Sequence, residues 1–294
     1  MKKHLLFLFA ALLPLVASAE KVEIDGIWYN LVSKVKQAEV TSSGGTKYSG
    51  SITIPATVTY DGVAYSVTSI GEYAFKACKS LTAITISEGV TSIGQYAFSE
   101  CSSLTAITIP EGVTSIGKYA FYYCSSLTAI TLPEGVTSIG REAFYHCTSL
   151  TAITIPEGVK NIGEGAFAGC TRLTAITIPE GVTSIGNWAF DYCSSLTAIT
   201  LPGSVTSIGS SAFYDCESLT AITIPEGVTS IGERAFYYCS SLKSVKILAV
   251  TPPGIGYETF YYIASDATFY VPKEAVSTYR STYPWSNFSS INSL

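Results

Sequence analysis

All eight cysteines of the chain, Cys78, Cys101, Cys124, Cys147, Cys170, Cys193, Cys216 and Cys239, lie 23 residues apart. Between them the sequence nearly copies itself. One unit reads Cys101-Ser-Ser-Leu-Thr-Ala-Ile-Thr-Ile-Pro-Glu-Gly-Val-Thr-Ser-Ile-Gly-Lys-Tyr-Ala-Phe-Tyr-Tyr123, and seven complete units run from Cys78 to Tyr238. An eighth begins at Cys239 and departs after Leu242, while Ser51 to Ala77 reads as an expanded unit with extra residues around Asp61-Gly62. A period of this length means stacked coils, because one coil is too small to bury its own apolar side.

Leu104, Ile107 and Ile109 form a Leu-x-x-Ile-x-Ile pattern that suits a strand with one buried face. Pro110 lacks the N–H needed to continue a ladder, and Gly112 permits a turn. Val113 to Ile116 is a second short extended piece, closed by Gly117; Ala120 and Phe121 then fall in a helical or 3₁₀ turn that carries the ring inward. A coil on its own cannot fold: ordering its backbone costs about 1–2 kcal/mol per residue, which its few inward side chains do not offset. Stacking covers both open edges and pairs neighbouring strands, so the expected product is a rod.

The pattern Cys-x-x-Leu-x-x-Ile-x-Ile-Pro, followed by Val-x-x-Ile-Gly-x-x-Ala-Phe, resembles the BspA-like class of bacterial leucine-rich repeats over roughly residues 48 to 247. The resemblance implies an α/β repeat solenoid, a rod or horseshoe of 23-residue units with a parallel β-sheet and short helical or 3₁₀ turns. Glu23 to Tyr29 and Lys47 to Gly50 resemble the family's amino-terminal cap; Thr251 to Pro253, Tyr270 to Pro272 and Trp285 to Phe288 resemble its carboxy-terminal closure. The resemblance further implies an exported, often surface-located protein of gram-negative anaerobes, used in adhesion or protein binding, with no shared catalytic residues to carry over.

The caps also make sense by themselves, since a stack leaves unpaired strand edges that invite aggregation. Asp25-Gly26 and Asp61-Gly62, flanked by alternating apolar residues, are hairpin signals that would close the first edge. Phe260, Phe269, Trp285 and Phe288 would cover the last coil. The expected organisation is a signal at 1–19, an amino-terminal β cap at 20–50, a divergent expanded repeat at 51–77, the solenoid at 78–247 and a carboxy-terminal cap at 248–294.

Lys2 and Lys3, the apolar stretch Leu5 to Val16 and the small residues Ala17-Ser18-Ala19 read as a cleaved secretory signal. No cysteine near the cleavage point suggests lipid attachment, and no run reaches the ~20 apolar residues of a membrane span. The expected address is outside the inner membrane: cell surface or secreted, with the periplasm as the alternative. The mature chain then carries 15 cations against 22 anions. Too few cations are present for a nucleic-acid binder, which needs a basic face, and a 13% charged content with 47% hydrophobic residues excludes general disorder.

Eight cysteines in an exported chain invite disulfides, but stacked equivalents point the same way at roughly 4.8 Å, against the ~3.8 Å Cβ separation and opposed vectors a disulfide prefers. Reduced inward thiols acting as small hydrophobes are the favoured reading, ahead of adjacent disulfides and of zinc, for which a straight row makes no tetrahedron. The row Glu88, Glu111, Glu134, Glu157, Glu180 and Glu226 reads as a solvated edge, since single-file carboxylates do not converge on calcium. Gly112 to Lys118 imitates a phosphate loop, yet Tyr119 stands where Ser or Thr belongs and other units replace the lysine. Gly254-Ile-Gly256 likewise lacks the third glycine, at Thr259. His146, the only histidine of the mature chain, adjoins Cys147 but should face outward while the thiol faces in. No enzyme, cofactor or metal site is expected.

Variation between units collects in the two positions after Ile-Gly and the two after Ala-Phe. Aromatic residues there suit recognition, offering large amphipathic contact area; a row that merely stacks on itself is the competing reading. The candidate contact residues are Tyr96, Tyr119, Tyr123, Trp188 and Tyr192. The expected partner is an extracellular protein or glycoprotein, met by a monomer. A self-assembling envelope component and a carbohydrate-binding module are the alternatives.

Overall fold

Each unit makes one coil, and three of its segments bond to the same segments of the coils on either side. The computed structural model describes residues 19–45 and 47–294; the segment read as a signal, 1–19, lies outside the described residues apart from Ala19. The first seam is a parallel sheet of three- and four-residue strands in residue-on-residue register, as where Ala129, Ile130 and Thr131 face Ala152, Ile153 and Thr154. The period of two puts Ile107 and Ile109 inside while Thr105, Ala106 and Thr108 face solvent. Threonine hydroxyls along this face are not idle: Thr105 Oγ1 donates to the Thr82 carbonyl at 3.1 Å, and Thr197 Oγ1 to that of Thr174 at 3.1 Å. The second seam pairs Ser115–Ile116 with Ser138–Ile139, and Ile116 with Ile93.

The third seam replaces the expected continuous turn with something more particular. The N–H groups of Ala120, Tyr122 and Cys124 close 3₁₀-type bonds onto the carbonyls of Gly117, Tyr119 and Phe121. Those of Tyr119, Phe121 and Tyr123 instead leave the turn and donate to Arg141, Ala143 and Tyr145 of the next coil, at 2.9, 2.8 and 2.8 Å. Alternate amides therefore serve two ladders, and no helix can run through. Tyr119 and Tyr123 adopt φ of 58° and 57° to make this possible. Helices among the described residues are confined to the carboxy-terminal closure: Lys273–Ala275, Val276–Ser281 and Trp285–Asn287.

Glycine after the second strand is fixed by crowding. A Cβ on Gly117 would lie 2.6 Å from the carbonyl carbon of Gly94 in the preceding coil. The Ile-Gly pair of every unit is thus a packing device, which accounts for the phosphate-loop imitation.

The core is a column of nine phenylalanines, Phe75, Phe98, Phe121, Phe144, Phe167, Phe190, Phe213, Phe236 and Phe260. Successive ring centroids are 5.1 to 5.6 Å apart with planes within 9°, the offset-stacked geometry that aromatic quadrupoles favour. The buried Leu, Ile, Val and Cys of each coil, with the alanine that precedes each phenylalanine, pack around it. All eight cysteines carry free thiols and are buried. From Cys101 onward each Sγ reaches 3.1–3.3 Å to the phenylalanine carbonyl of the preceding coil. Burial pushes these thiols upward, Cys170 and Cys239 to about 12, so the row is held as unreactive S–H donors.

Both ends of the stack are closed, one by hairpins and the other by large aromatic side chains. Strands β1 (Glu20–Ile24), β2 (Ile27–Val32) and β3 (Gln37–Thr41) form an antiparallel meander, with Asp25 and Gly26 both at positive φ in the first turn. A second hairpin pairs Thr57–Tyr60 with Val63–Ile70 around Asp61-Gly62, and β3 joins Val63–Ile70 in parallel to continue the second seam. Tyr48 tilts onto Phe75 at 4.9 Å, ending the phenylalanine column at that side. At the other side Phe269 meets Phe260 edge-on at 5.1 Å, with Trp285 and Phe288 beside it. Trp285 Nε1 donates to the Pro253 carbonyl and Tyr279 Oη to that of Ala249, at 2.7 and 2.8 Å, so both large side chains are buried with their polar tips satisfied.

Coil geometry also continues into the segment read as closure. Gly254–Ile255 pairs with Ser230–Ile231, and Phe260 completes the column. Thr259 stands in the alanine slot, its hydroxyl bonded to the Gly232 and Gly256 carbonyls at 3.1 and 2.8 Å. Ile-Gly-x-x-Thr-Phe is therefore the repeat's Ile-Gly-x-x-Ala-Phe with one polar replacement.

Candidate binding surface

The third seam decides which side chains reach solvent. Where two residues per coil take left-handed backbone, their side chains are thrown outward in two rows, with a third row between them. The variable positions picked out by comparing units are these: Tyr73, Tyr96, Tyr119, Glu142, Gly165, Trp188, Ser211 and Arg234 in one row, Ala77, Glu100, Tyr123, His146, Gly169, Tyr192, Asp215 and Tyr238 in the other, all at positive φ. Left-handed backbone costs an L-residue about 1–2 kcal/mol, here set against the inter-coil hydrogen bonds. The requirement falls on the backbone, so side-chain identity is left free to vary.

The five candidate residues do not form one continuous strip. Tyr73, Tyr96 and Tyr119 stack at 5.1 and 4.5 Å, which leaves Tyr96 and Tyr119 half-buried between neighbours. Lys76 lies over both Tyr73 and Tyr96, 5.3 and 5.0 Å from the centroids. Tyr123, 41% exposed, stacks on His146 at 4.8 Å, and Tyr122 stacks on Tyr145 at 5.0 Å. His146 is half-buried in this stack, and burial lowers its pKa, holding the imidazole neutral at neutral pH. Its neighbour Cys147 points into the core, so the two do not form a nucleophile and base.

Beyond that field the rows break. At Gly165, Ala168 and Gly169 the three rows carry nothing larger than a methyl group, and that of Ala168 is buried. Trp188 and Tyr192, 43% and 49% exposed, open a second field on the far side of this gap. It continues through Tyr214 and Tyr237, stacked at 5.2 Å, and Tyr238 and Tyr262, stacked at 4.7 Å.

Sequence reasoning missed the far end of this second field. Tyr257, Tyr261, Tyr262 and Tyr283 are the most exposed aromatic side chains among the described residues and border a cleft of about 870 Å³ against the closure. Their signal was the Ile255-Gly256 pair, which places Tyr261 and Tyr262 in the same positions as Tyr122 and Tyr123. The charged groups on this face are few and mostly paired: Arg141 with Glu142 and Glu164 at 3.0 and 2.9 Å, Arg234 with Glu258 at 2.8 Å. The glutamate row on the Pro-Glu-Gly turns is solvent-exposed, and no cluster of three metal-ligating side chains occurs among the described residues.

These features define a parallel leucine-rich-repeat solenoid whose ornament lies on one outer seam. The chain belongs to the BspA-type leucine-rich repeat family, whose six-copy repeat region matches residues 52–174 and again residues 160–292. A leucine-rich repeat protein from Bacteroides ovatus is 30% identical, with a TM-score of 0.66 over 93% of this chain and 76% of its own. A leucine-rich repeat protein from T. pallidum is 25% identical, with a TM-score of 0.52 over 76% of this chain and 91% of its own. No match is found among curated proteins. No helix among the described residues is long and apolar enough to cross a membrane.

Proposed function

We propose that the chain is an exported binding protein of the adhesion type, whose outer seam meets an extracellular protein or glycoprotein. One observation carries this reading: at left-handed positions that the coil-to-coil bonds require whatever side chain is carried, the chain places Tyr73, Tyr96, Tyr119, Tyr123, Trp188, Tyr192 and Tyr238, rings that neither the core nor those bonds need. Large, half-exposed rings with few degrees of freedom are what recognition surfaces concentrate. Export is supported by the apolar leader Leu5 to Val16 with its small-residue flank. The repeats work as a scaffold, without catalysis, and the chain acts as a monomer.

Replacing Tyr96, Tyr119, Tyr123, Trp188 and Tyr192 together by alanine is expected to abolish attachment of the purified protein to its target surface while the chain remains folded, as circular dichroism would show. Undiminished attachment overturns the reading. Protease treatment of intact cells, with lysed cells as control, tests the address: digestion before lysis is expected, and protection until lysis would make it a periplasmic scaffold.

A further inference from the structure

The third seam has two ends, and they are finished differently. In every coil that has a successor, three alternate N–H groups centred on the buried phenylalanine donate to the next coil. Those of Arg234, Phe236 and Tyr238 reach the Tyr257, Thr259 and Tyr261 carbonyls at 2.9, 2.9 and 3.1 Å. The last coil repeats this turn. Glu258 and Tyr262 adopt φ of 54° and 59°, beside 53° and 59° at Arg234 and Tyr238, and the Tyr261 N–H closes onto the Glu258 carbonyl at 3.2 Å. No further coil follows, and no backbone carbonyl among the described residues accepts from Glu258, Phe260 or Tyr262. All three residues line the cleft of about 870 Å³, faced by Tyr283, Pro284, Asn287 and Phe288 of the closure. The outer rings end here as well: Tyr237 lies half-buried between Tyr214 and Tyr261, while Tyr261 is 55% exposed. At the opposite end the seam offers carbonyls, and Lys47 caps one of them, its Nζ donating to the Lys76 carbonyl at 2.9 Å.

The other junctions show what completes a donor edge of this kind. It is a parallel backbone segment that accepts through the carbonyls of alternate residues, the last of which also covers the preceding ring. Tyr145 does both, its carbonyl accepting from Tyr123 at 2.8 Å and its ring stacked on Tyr122 at 5.0 Å. A second copy of the chain has no room to lay a whole coil here, because Thr268–Val271 and Ile291–Ser293 already fill the next layers of the first seam. A single peptide segment needs only the cleft. Main-chain donors left in a row are a template for an added segment, with main-chain bonds giving affinity and side-chain sites giving selectivity.

We propose that this donor edge binds a short segment of a partner protein, laid parallel to residues 258–262, with the carbonyls of its residues i, i+2 and i+4 accepting from Glu258, Phe260 and Tyr262 and an aromatic ring at i+4 over Tyr261. The residue at i+3 must be small, since the place its coil equivalent fills with phenylalanine is taken by Phe269, Trp285 and Phe288. The proposal rests on the chain being a protein-binding scaffold and names the chemistry taken at one end of its outer seam. A sugar ring would also cover Tyr261, but it presents no row of carbonyls at two-residue spacing.

The test uses the full chain from Glu20 onward and the peptide acetyl-Ser-Gly-Ala-Ala-Tyr-Gly-amide, with serine at i, glycine at the two left-handed positions and tyrosine at i+4. Amide hydrogen exchange is followed residue by residue. In the free chain Glu258 and Tyr262 are expected to exchange about tenfold or more faster than Arg234 and Tyr238. Peptide saturating in the millimolar range is expected to slow Glu258, Phe260 and Tyr262 by about tenfold. A peptide with alanine in place of tyrosine, and the Tyr261→Ala chain, are each expected to bind about tenfold more weakly; unchanged exchange at Phe144 and Phe167 shows that the variant is folded. Slow exchange at Glu258 and Tyr262 in the free chain, no saturable binding, binding that leaves the three amides unslowed, or equal binding of the ringless peptide overturns the proposal. So does slowing of these amides by chitotriose and not by the peptide. The five alanine replacements of the binding face leave this edge untouched. If the peptide fails to bind while those replacements abolish attachment, the edge fails and the binding face stands. If the peptide binds while the five-residue variant still attaches, the binding face fails and the edge stands.

Discussion

Two stacks of rings run the length of this molecule on the same coil spacing, and they obey different rules. The inner one is complete: nine phenylalanines, none replaced and none missing, with centroids 5.1 to 5.6 Å apart. The outer one shares the backbone register but is broken in both of its rows, by Glu142, Gly165, Ser211 and Arg234 in the first and by Ala77, Glu100, Gly169 and Asp215 in the second. Inside, a missing ring leaves a void that close-packed neighbours cannot fill. Outside, a missing ring leaves water or an opening, and the backbone demand for positive φ is indifferent to what the side chain does. Repetition is therefore enforced where side chains touch the next coil, and novelty is tolerated where only the backbone does.

Breaking the inner stack should have the largest effect. Phe167→Ala removes a fully buried ring midway along the column and is expected to cost about 3–5 kcal/mol, read as a lower urea midpoint. The corresponding outer change, Tyr192→Ala, should stay within about 0.5 kcal/mol. Equal losses at the two positions would mean that the outer rings are core in all but name.

What the sequence made legible follows the same division. Leu104, Ile107, Ile109, Val113, Ile116 and Phe121 repeat as residue types, and periodicity alone assigns them to the interior, where they are found. Hairpin closure was equally readable, because Asp25-Gly26 and Asp61-Gly62 carry a known turn preference. The third seam was not. Left-handed backbone is ordinarily announced by glycine, and here tyrosine, tryptophan, glutamate and arginine occupy it, held by bonds to the next coil that no local pattern encodes. The five candidate residues were identified from variability, which marks the rows but not their continuity. That Tyr96 and Tyr119 cover each other, and that Gly165 and Gly169 divide the face, depends on which positions are stacked neighbours in three dimensions.

A smaller effect separates the outer face from the inner one by charge. Asp191 has an ordinary carboxylate pKa near ~3.9 when unfolded and about 7 when folded, raised by burial and then by Asp215. The folded state therefore holds the proton more tightly. Its contribution is most favourable below about pH 4, declines as pH rises through the folded value near 7, and is flat above it. Because the group is partly open to solvent, about 1–2 kcal/mol of this survives screening. Asp191→Asn should flatten the stability curve between those limits and leave the variant more stable than the parent at pH 8. A parent curve already flat over this interval would show that Asp191 ionises freely and that its burial is relieved in solution.

The finest test asks whether the outer rows are held by backbone alone. Ser211 adopts φ of 53°, donates its N–H to the Glu233 carbonyl at 2.8 Å and has no ring to stack. Ser211→Gly removes the left-handed penalty at the expense of greater freedom in the unfolded chain, for a net gain of about 0.5 kcal/mol in thermal unfolding. Gly169→Ala is the reverse experiment. Its φ is 73°, and a Cβ there would lie 2.9 Å from the His146 ring, so a loss of about 1 kcal/mol is expected together with displacement of that ring. Opposite signs at these two left-handed positions, one in each row, would establish that the seam sets a fixed conformational requirement, met with glycine where no side chain is displayed and against preference where one is. Matching signs would mean instead that each coil adjusts its turn to the residue it carries, and the outer rows would then lose the rigidity that recognition by stacked rings requires.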